Sequence, residues 1–190
     1  MKHLVNIREL EVGTICELKN ICPLVTLTTL HMNEPDLQEL GCLHTLKCLT
    51  DLDIHSGKGI SSISEKDIRW LRSVPLKKLK FHRVSGTTDM IARVIGSIES
   101  LLDLELSQVS DYSVKISNEG IKHLCGLKLL RKVNFYGCKR VGDEGIMQMA
   151  STLKFLKNIN VRQTGVSEEC ALVLRRQFKL NVVSNSSWLW

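Results

Sequence analysis

The stretch LRKVNFYGCKRVGDEGIMQMASTL, residues 130–153, changes its hydrophobic period midway. Leu130, Val133 and Phe135 are separated by polar Lys132 and Asn134, the alternation of a strand with one face on a core. Past Cys138 and Val141, the apolar residues Ile146, Met149, Ala150 and Leu153 recur at the spacing of one helix face. Gly142, Asp143 and Glu144 fall where that helix begins, so Asp143 is expected to cap free backbone amides and Glu144 to favour the positive end of the helix dipole. The junction phrase returns as ISNEGIKHL at Ile116 to Leu124 and VSEECALVL at Val166 to Leu174, and Ser64 with Glu65 in ISEKDIRWL holds the same place. A catalytic acid pair is needed once, whereas a helix start is needed in every unit. The acids therefore read as architecture.

The strand half of the unit is also periodic. Apolar residues at offsets 0, 3 and 5 recur as Ile7-Leu10-Val12, Leu27-Leu30-Met32, Leu49-Leu52-Ile54, Leu76-Leu79-Phe81, Leu101-Leu104-Leu106, Leu130-Val133-Phe135 and Leu156-Ile159-Val161. With a degenerate last copy at Val182, the third apolar positions are spaced 20, 22, 27, 25, 29, 26 and 21 residues apart. This is the period of a leucine-rich repeat, in which a short strand is followed by a helical return. One such unit cannot bury its apolar face alone, so the copies must stack. The expected fold class is α/β: a curved leucine-rich-repeat solenoid with parallel strands on the concave face and helices on the convex face. Residues 1–190 are expected to form a single domain of about seven to eight repeats, with a short aromatic tail at 184–190.

Composition agrees with one packed unit. A chain of 190 residues that is 43% apolar can bury a core. The net charge is +6, but 20 acids are interspersed among 26 basic residues, which gives a mixed surface in place of a polybasic tail. Seven cysteines in no regular framework fit small apolar residues in a reducing compartment, and the polar N-terminal MKHLVNIREL does not resemble a secretory signal. The expectation is an intracellular protein, cytoplasmic or nuclear, with no membrane-spanning segment.

The unit at 130–153, with weaker copies at 101–124 and 156–174, resembles the cysteine-containing leucine-rich repeats best known from F-box substrate adaptors. In that family a strand ends in cysteine or asparagine, followed by isoleucine or valine, an acid, a glycine and a helix. Cys138 keeps the cysteine, while Val84, Val109 and Thr164 stand at the corresponding places. No F-box-like helical segment precedes the strand-like IRELEV. The resemblance implies a non-catalytic scaffold for protein partners, and adaptor function enters only by analogy.

Residues between the strand leucines should point to the concave side, with equivalent positions roughly 5 Å apart in neighbouring repeats. One column reads Glu9, Thr29, Asp51, Lys78, Asp103, Lys132 and Asn158; the next reads Glu11, His31, Asp53, Lys80, Glu105, Asn134 and Asn160. Their alternating signs allow cross-strand pairs of Lys78 with Asp51 and Asp103, and of Lys80 with Asp53 and Glu105. Two readings follow: a self-neutralised ladder that keeps the sheet soluble, or a face that selects a protein partner by charge complementarity. A third column, at the rim, reads Gly13, Asn33, His55, His82, Ser107, Tyr136 and Arg162, with Lys58, Arg83, Lys139 and Arg140 close beyond. This basic stripe, with Tyr136 to stack a base, supports the alternative of a ribonucleoprotein subunit contacting RNA. His55 and His82 have no third ligand at a recognisable zinc spacing, so no metal is expected.

Other signals point away from chemistry. SGKGISS, residues 56–62, lacks the glycine spacing of a phosphate-binding loop and reads as a connection. No nucleophile motif is present, and neither a catalytic residue, a cofactor nor a small-molecule substrate is expected. Trp70 lies toward a helix flank, where it either packs between neighbouring helices or marks an outer contact. Trp188 and Trp190 are expected to act as anchors, folded back over the final helix around Leu172 and Leu174 or inserted into a partner.

Overall fold

A computed structural model describes residues 6–13, 17–56, 62–108 and 114–186. The expected strands form one eight-stranded parallel sheet: β1 (Glu9–Val12), β2 (Thr29–Asn33), β3 (Asp51–His55), β4 (Lys78–His82), β6 (Asp103–Ser107), β8 (Lys132–Asn134), β9 (Asn158–Asn160) and β10 (Asn181–Val183). They stand side by side in chain order, so each repeat contributes one strand. The pairing register joins Leu30, Leu52, Leu79, Leu104, Val133, Ile159 and Val182 in one row. A second, two-stranded ladder of β5 (Thr87–Thr88) and β7 (Val114–Lys115) runs beside it, just ahead of the helices.

The returns differ along the molecule. The early repeats use 3-10 turns at Leu18–Asn20, Leu40–Thr45 and Arg69–Ser73, the last following the four-residue α1 (Glu65–Ile68). Later repeats use α2 (Asp89–Ile95), α3 (Asn118–Leu124), α4 (Asp143–Thr152) and α5 (Glu168–Gln177). Return type does not track repeat length: the 20- and 22-residue spacings carry 3-10 turns, whereas the 21-residue spacing that ends at Val182 holds the ten-residue α5. Row residues and helix-face residues meet in one continuous core, in which Leu52, Leu79, Phe81, Leu104, Phe135, Ile146 and Met149 are all buried. Trp70 joins this core, and its indole Nε1 donates to the Asp67 carbonyl at 2.9 Å, which settles its place among the packed returns.

The helix junctions require one correction. The caps are serines: Ser117 Oγ accepts from the Glu119 amide and Ser167 Oγ from the Cys170 amide, while Ser64 pairs reciprocally with Asp67. Asp143 does not cap its own helix, whose N-cap is Gly142. Its carboxylate reaches into the next repeat and accepts from the Ser167 amide and hydroxyl, both at 2.7 Å. Asp89 grips Ser117 in the same way, at 2.8 and 2.7 Å, and Asn118 Oδ1 accepts from the Gly142 amide at 2.8 Å. Glu168 continues the series with the Ser186 amide and the Ser184 hydroxyl. The recurrent polar residue is a clip between repeats. The glycine after it makes room: a Cβ on Gly120 would collide with Asp89 Oδ1, and one on Gly145 would lie 2.7 Å from Asn118 Oδ1.

Candidate functional site

The first two polar columns appear in the register expected from the sequence. β3 and β4 pair Asp51 with Lys78, Asp53 with Lys80 and His55 with His82; β4 and β6 pair Lys78 with Asp103, Lys80 with Glu105 and His82 with Ser107. Lys132 pairs with Asp103, and Asn134 with Glu105. In a parallel ladder this register places like-numbered side chains on the same face, which turns seven separate strands into one polar surface.

The charges are only partly matched. Lys78 Nζ meets Asp51 Oδ1 at 2.7 Å, and Lys80 Nζ stands 3.9 Å from Asp53 Oδ2. Glu105 instead accepts from Asn134 Nδ2 at 2.7 Å, and Asn181 Nδ2 donates to Asn158 Oδ1 at 3.0 Å. Partial burial resists ionisation of Asp51, yet Lys78 beside it and the Thr50 hydroxyl hold its carboxyl below the ordinary aspartate value. Glu9, Thr29, His31, Asp51, Asp53, Lys78 and Lys80 enclose an open depression of about 310 Å³ over the first strands of the sheet.

At the rim the chain turns out of the sheet. Arg83 does so with a left-handed backbone, φ 57°, its amide bonded to the Ser107 carbonyl, and its side chain is exposed. Tyr136 and Arg162 follow β8 and β9, where Asn134 and Asn160 each accept from the backbone amide two residues on. These asparagine turns end the two strands early, and both Tyr136 and Arg162 are half-buried there. Lys139 and Arg140 are exposed beyond them. Lys58, Trp188 and Trp190 lie outside the described residues.

His55 and His82 stack, with ring centroids 4.0 Å apart and planes inclined by 22°. A third group stands beside them, at a spacing that is no conventional zinc motif. Asp53, two residues before His55 on the same strand face, places Oδ1 3.2 Å from His55 Nε2 and 3.3 Å from His82 Nε2. Asp53 is 9% exposed, and its other oxygen faces His31 Nδ1 at 3.4 Å. Burial works against its ionisation, but His82, then His55 and Lys80, hold its carboxyl below the ordinary value. Burial and the neighbouring His82 push the His55 imidazole down, toward its neutral form. The signal for Asp53 was present in the columns: positions i and i+2 share a strand face, so it borders the histidine pair by register, at no conventional ligand spacing.

No family model matches the chain, and no curated protein matches it in sequence. Solved structures do. An internalin, inlF, from Listeria monocytogenes superposes with a TM-score of 0.59 over 94% of this chain and 54% of its own, at 16% identity. An internalin C2 of the same organism gives 0.64 over 96% of this chain and 73% of its own, also at 16% identity. The fold is a leucine-rich-repeat solenoid. This chain thus spans about half the length of the first of these proteins. Among the described residues no helix is long and apolar enough to cross a membrane.

Proposed function

We propose that this chain is a non-catalytic scaffold whose concave sheet face docks another protein, as an adaptor or subunit of a larger assembly. The observation that carries this reading is the continuous in-register polar surface from Asp51 and Asp53 through Lys78, Lys80, Asp103 and Glu105 to Lys132. Only some of its charges are matched internally, so a partner with complementary charge gains contacts without first dismantling a closed network. Cys138 supports the likeness to cysteine-containing repeats: its buried thiol donates to the Leu106 carbonyl at 3.0 Å, tying one strand exit to the previous strand.

The test combines affinity purification of the intact chain, identification of what accompanies it by mass spectrometry, and measurement of that interaction with Lys80→Glu. The substitution reverses a charge at the centre of the face. A loss of affinity of at least about tenfold, with an unchanged thermal melt, is the expected result. Unchanged affinity moves the contact to the rim or the helices. The exposed Arg83, Lys139 and Arg140 favour RNA as the second reading. That reading requires binding to generic RNA that weakens steeply with salt, and no binding at low salt refutes it.

A further inference from the structure

We propose that Asp53, His55 and His82 form a three-ligand site for a divalent transition metal of the zinc class, at the rim of the concave face. The inference is independent of the docking proposal, because it rests on the convergence of three side chains and requires no partner.

Three ligand atoms, one from each residue, lie within 4.8 Å of one another. Tetrahedral zinc with bonds of about 2.0–2.1 Å to nitrogen and oxygen sets neighbouring ligand atoms roughly 3.3–3.4 Å apart. The separations from Asp53 Oδ1 to the two Nε2 atoms, 3.2 and 3.3 Å, are those edges to within about 0.2 Å. The arrangement comes from the fold: His55 and His82 are register partners on β3 and β4, and Asp53 precedes His55 by one pleat.

Hydrogen bonding alone leaves this cluster incomplete. Asp53 Oδ1 is buried, and neither Nε2, at 3.2 and 3.3 Å, completes a hydrogen bond to it. A buried carboxylate oxygen without a donor is unfavourable, and a cation between the three atoms removes the deficit. The surroundings prepare the ligands. His82 Nδ1 lies 2.8 Å from Ser107 Oγ and 3.5 Å from Glu105 Oε1, and the tautomer with its proton on Nδ1 sets the Nε2 lone pair toward Asp53. Such outer hydrogen bonds are the usual means of orienting a metal-binding imidazole. Lys80 and His31 face the opposite oxygen, Oδ2, and leave Oδ1 to the site. Among the described residues, Lys80 and Arg83 act on the cluster as cations and Glu105 as an anion.

Two imidazoles and one carboxylate select zinc and similar borderline ions over magnesium or calcium, which take oxygen ligands. Three protein ligands leave a coordination position free, on the side where the His55 side chain is 43% exposed.

The full chain, stripped with a chelator, is titrated with zinc by calorimetry and with cobalt as a spectroscopic probe. One ion per chain is expected, with visible cobalt bands of a nitrogen and oxygen site and no thiolate charge-transfer band. Asp53→Asn and His82→Gln should weaken binding by more than about 100-fold, and Ser107→Ala by about 10-fold, with circular dichroism confirming the fold of each. His55→Gln, at the most exposed ligand, keeps the test decisive if Asp53→Asn does not fold. The proposal is overturned by absence of saturable binding of either ion, by binding that survives loss of His55 or His82, or by a thiolate band that puts the ion on cysteines such as Cys22 and Cys42.

Discussion

Cys138 shows how much a single residue's environment decides. It is 1% exposed, and burial pushes its thiol up to about 12, so the nucleophilic thiolate is all but absent at neutral pH. Cys48 is exposed on a turn. Brief treatment of the native protein with iodoacetamide should therefore label Cys48 and leave Cys138 unmodified, with Cys138 reacting once denaturant is added. Peptide mass spectrometry reads both sites, and native labelling of Cys138 would show that its strand exit opens readily. The cysteine positions in the sequence gave no hint of this contrast, since exposure is decided by which neighbours the chain brings over the sulfur.

The strand and the helix junction carry different risks at the scale of the element. Leu104, the second residue of β6, is fully buried within the row of apolar residues. Leu104→Ala should destabilise by about 2–5 kcal/mol in denaturant unfolding, the range for a large truncation in a packed core. A change below about 1 kcal/mol would contradict the register. Gly145→Ala is the more discriminating substitution. In an exposed helix the change would stabilise by up to about 1 kcal/mol, because alanine is the better helix former. Here the new methyl would press on Asn118 Oδ1 and disturb its bond to Gly142, so destabilisation of about 1–3 kcal/mol is expected by the same measurement. Gly120 and Gly145 thus serve the preceding repeat.

In the whole molecule, each repeat is held by its neighbours, and stability is shared along the stack. Glu168 ties α5 to the chain after β10 through Ser184 and Ser186. The hydrogen bonds from Ser186, followed by those from Ser184, hold its carboxyl below the ordinary glutamate value of 4.5. A depressed native pKa means that this contribution is complete above about pH 4.5 and is lost as pH falls through the native value. Glu168→Gln should accordingly lower the melting temperature at neutral pH, and the gap from the unsubstituted protein should close in acid. A gap that does not vary with pH would assign the effect to packing and not to the charged clip.

The strands, their register and the two polar columns were legible in the sequence because a parallel one-strand-per-repeat sheet converts a linear period directly into spatial rows. Leu52, Leu79 and Leu104 each hold the middle place of an apolar triplet, and Asp51, Lys78 and Asp103 follow with them. The junction phrase was equally visible as a period, but its role was not: a cap and a clip use the same residue types, and only the distance from Asp143 to Ser167 separates them. The cluster of Asp53, His55 and His82 was likewise left to tertiary structure, since burial, ring stacking and the approach of Oδ1 to both imidazoles depend on strand spacing and rotamer. Sequence by itself determined the solenoid, through a repeat that cannot bury its apolar face alone. The contacts between repeats, which carry the candidate chemistry, exist only once neighbouring copies are stacked.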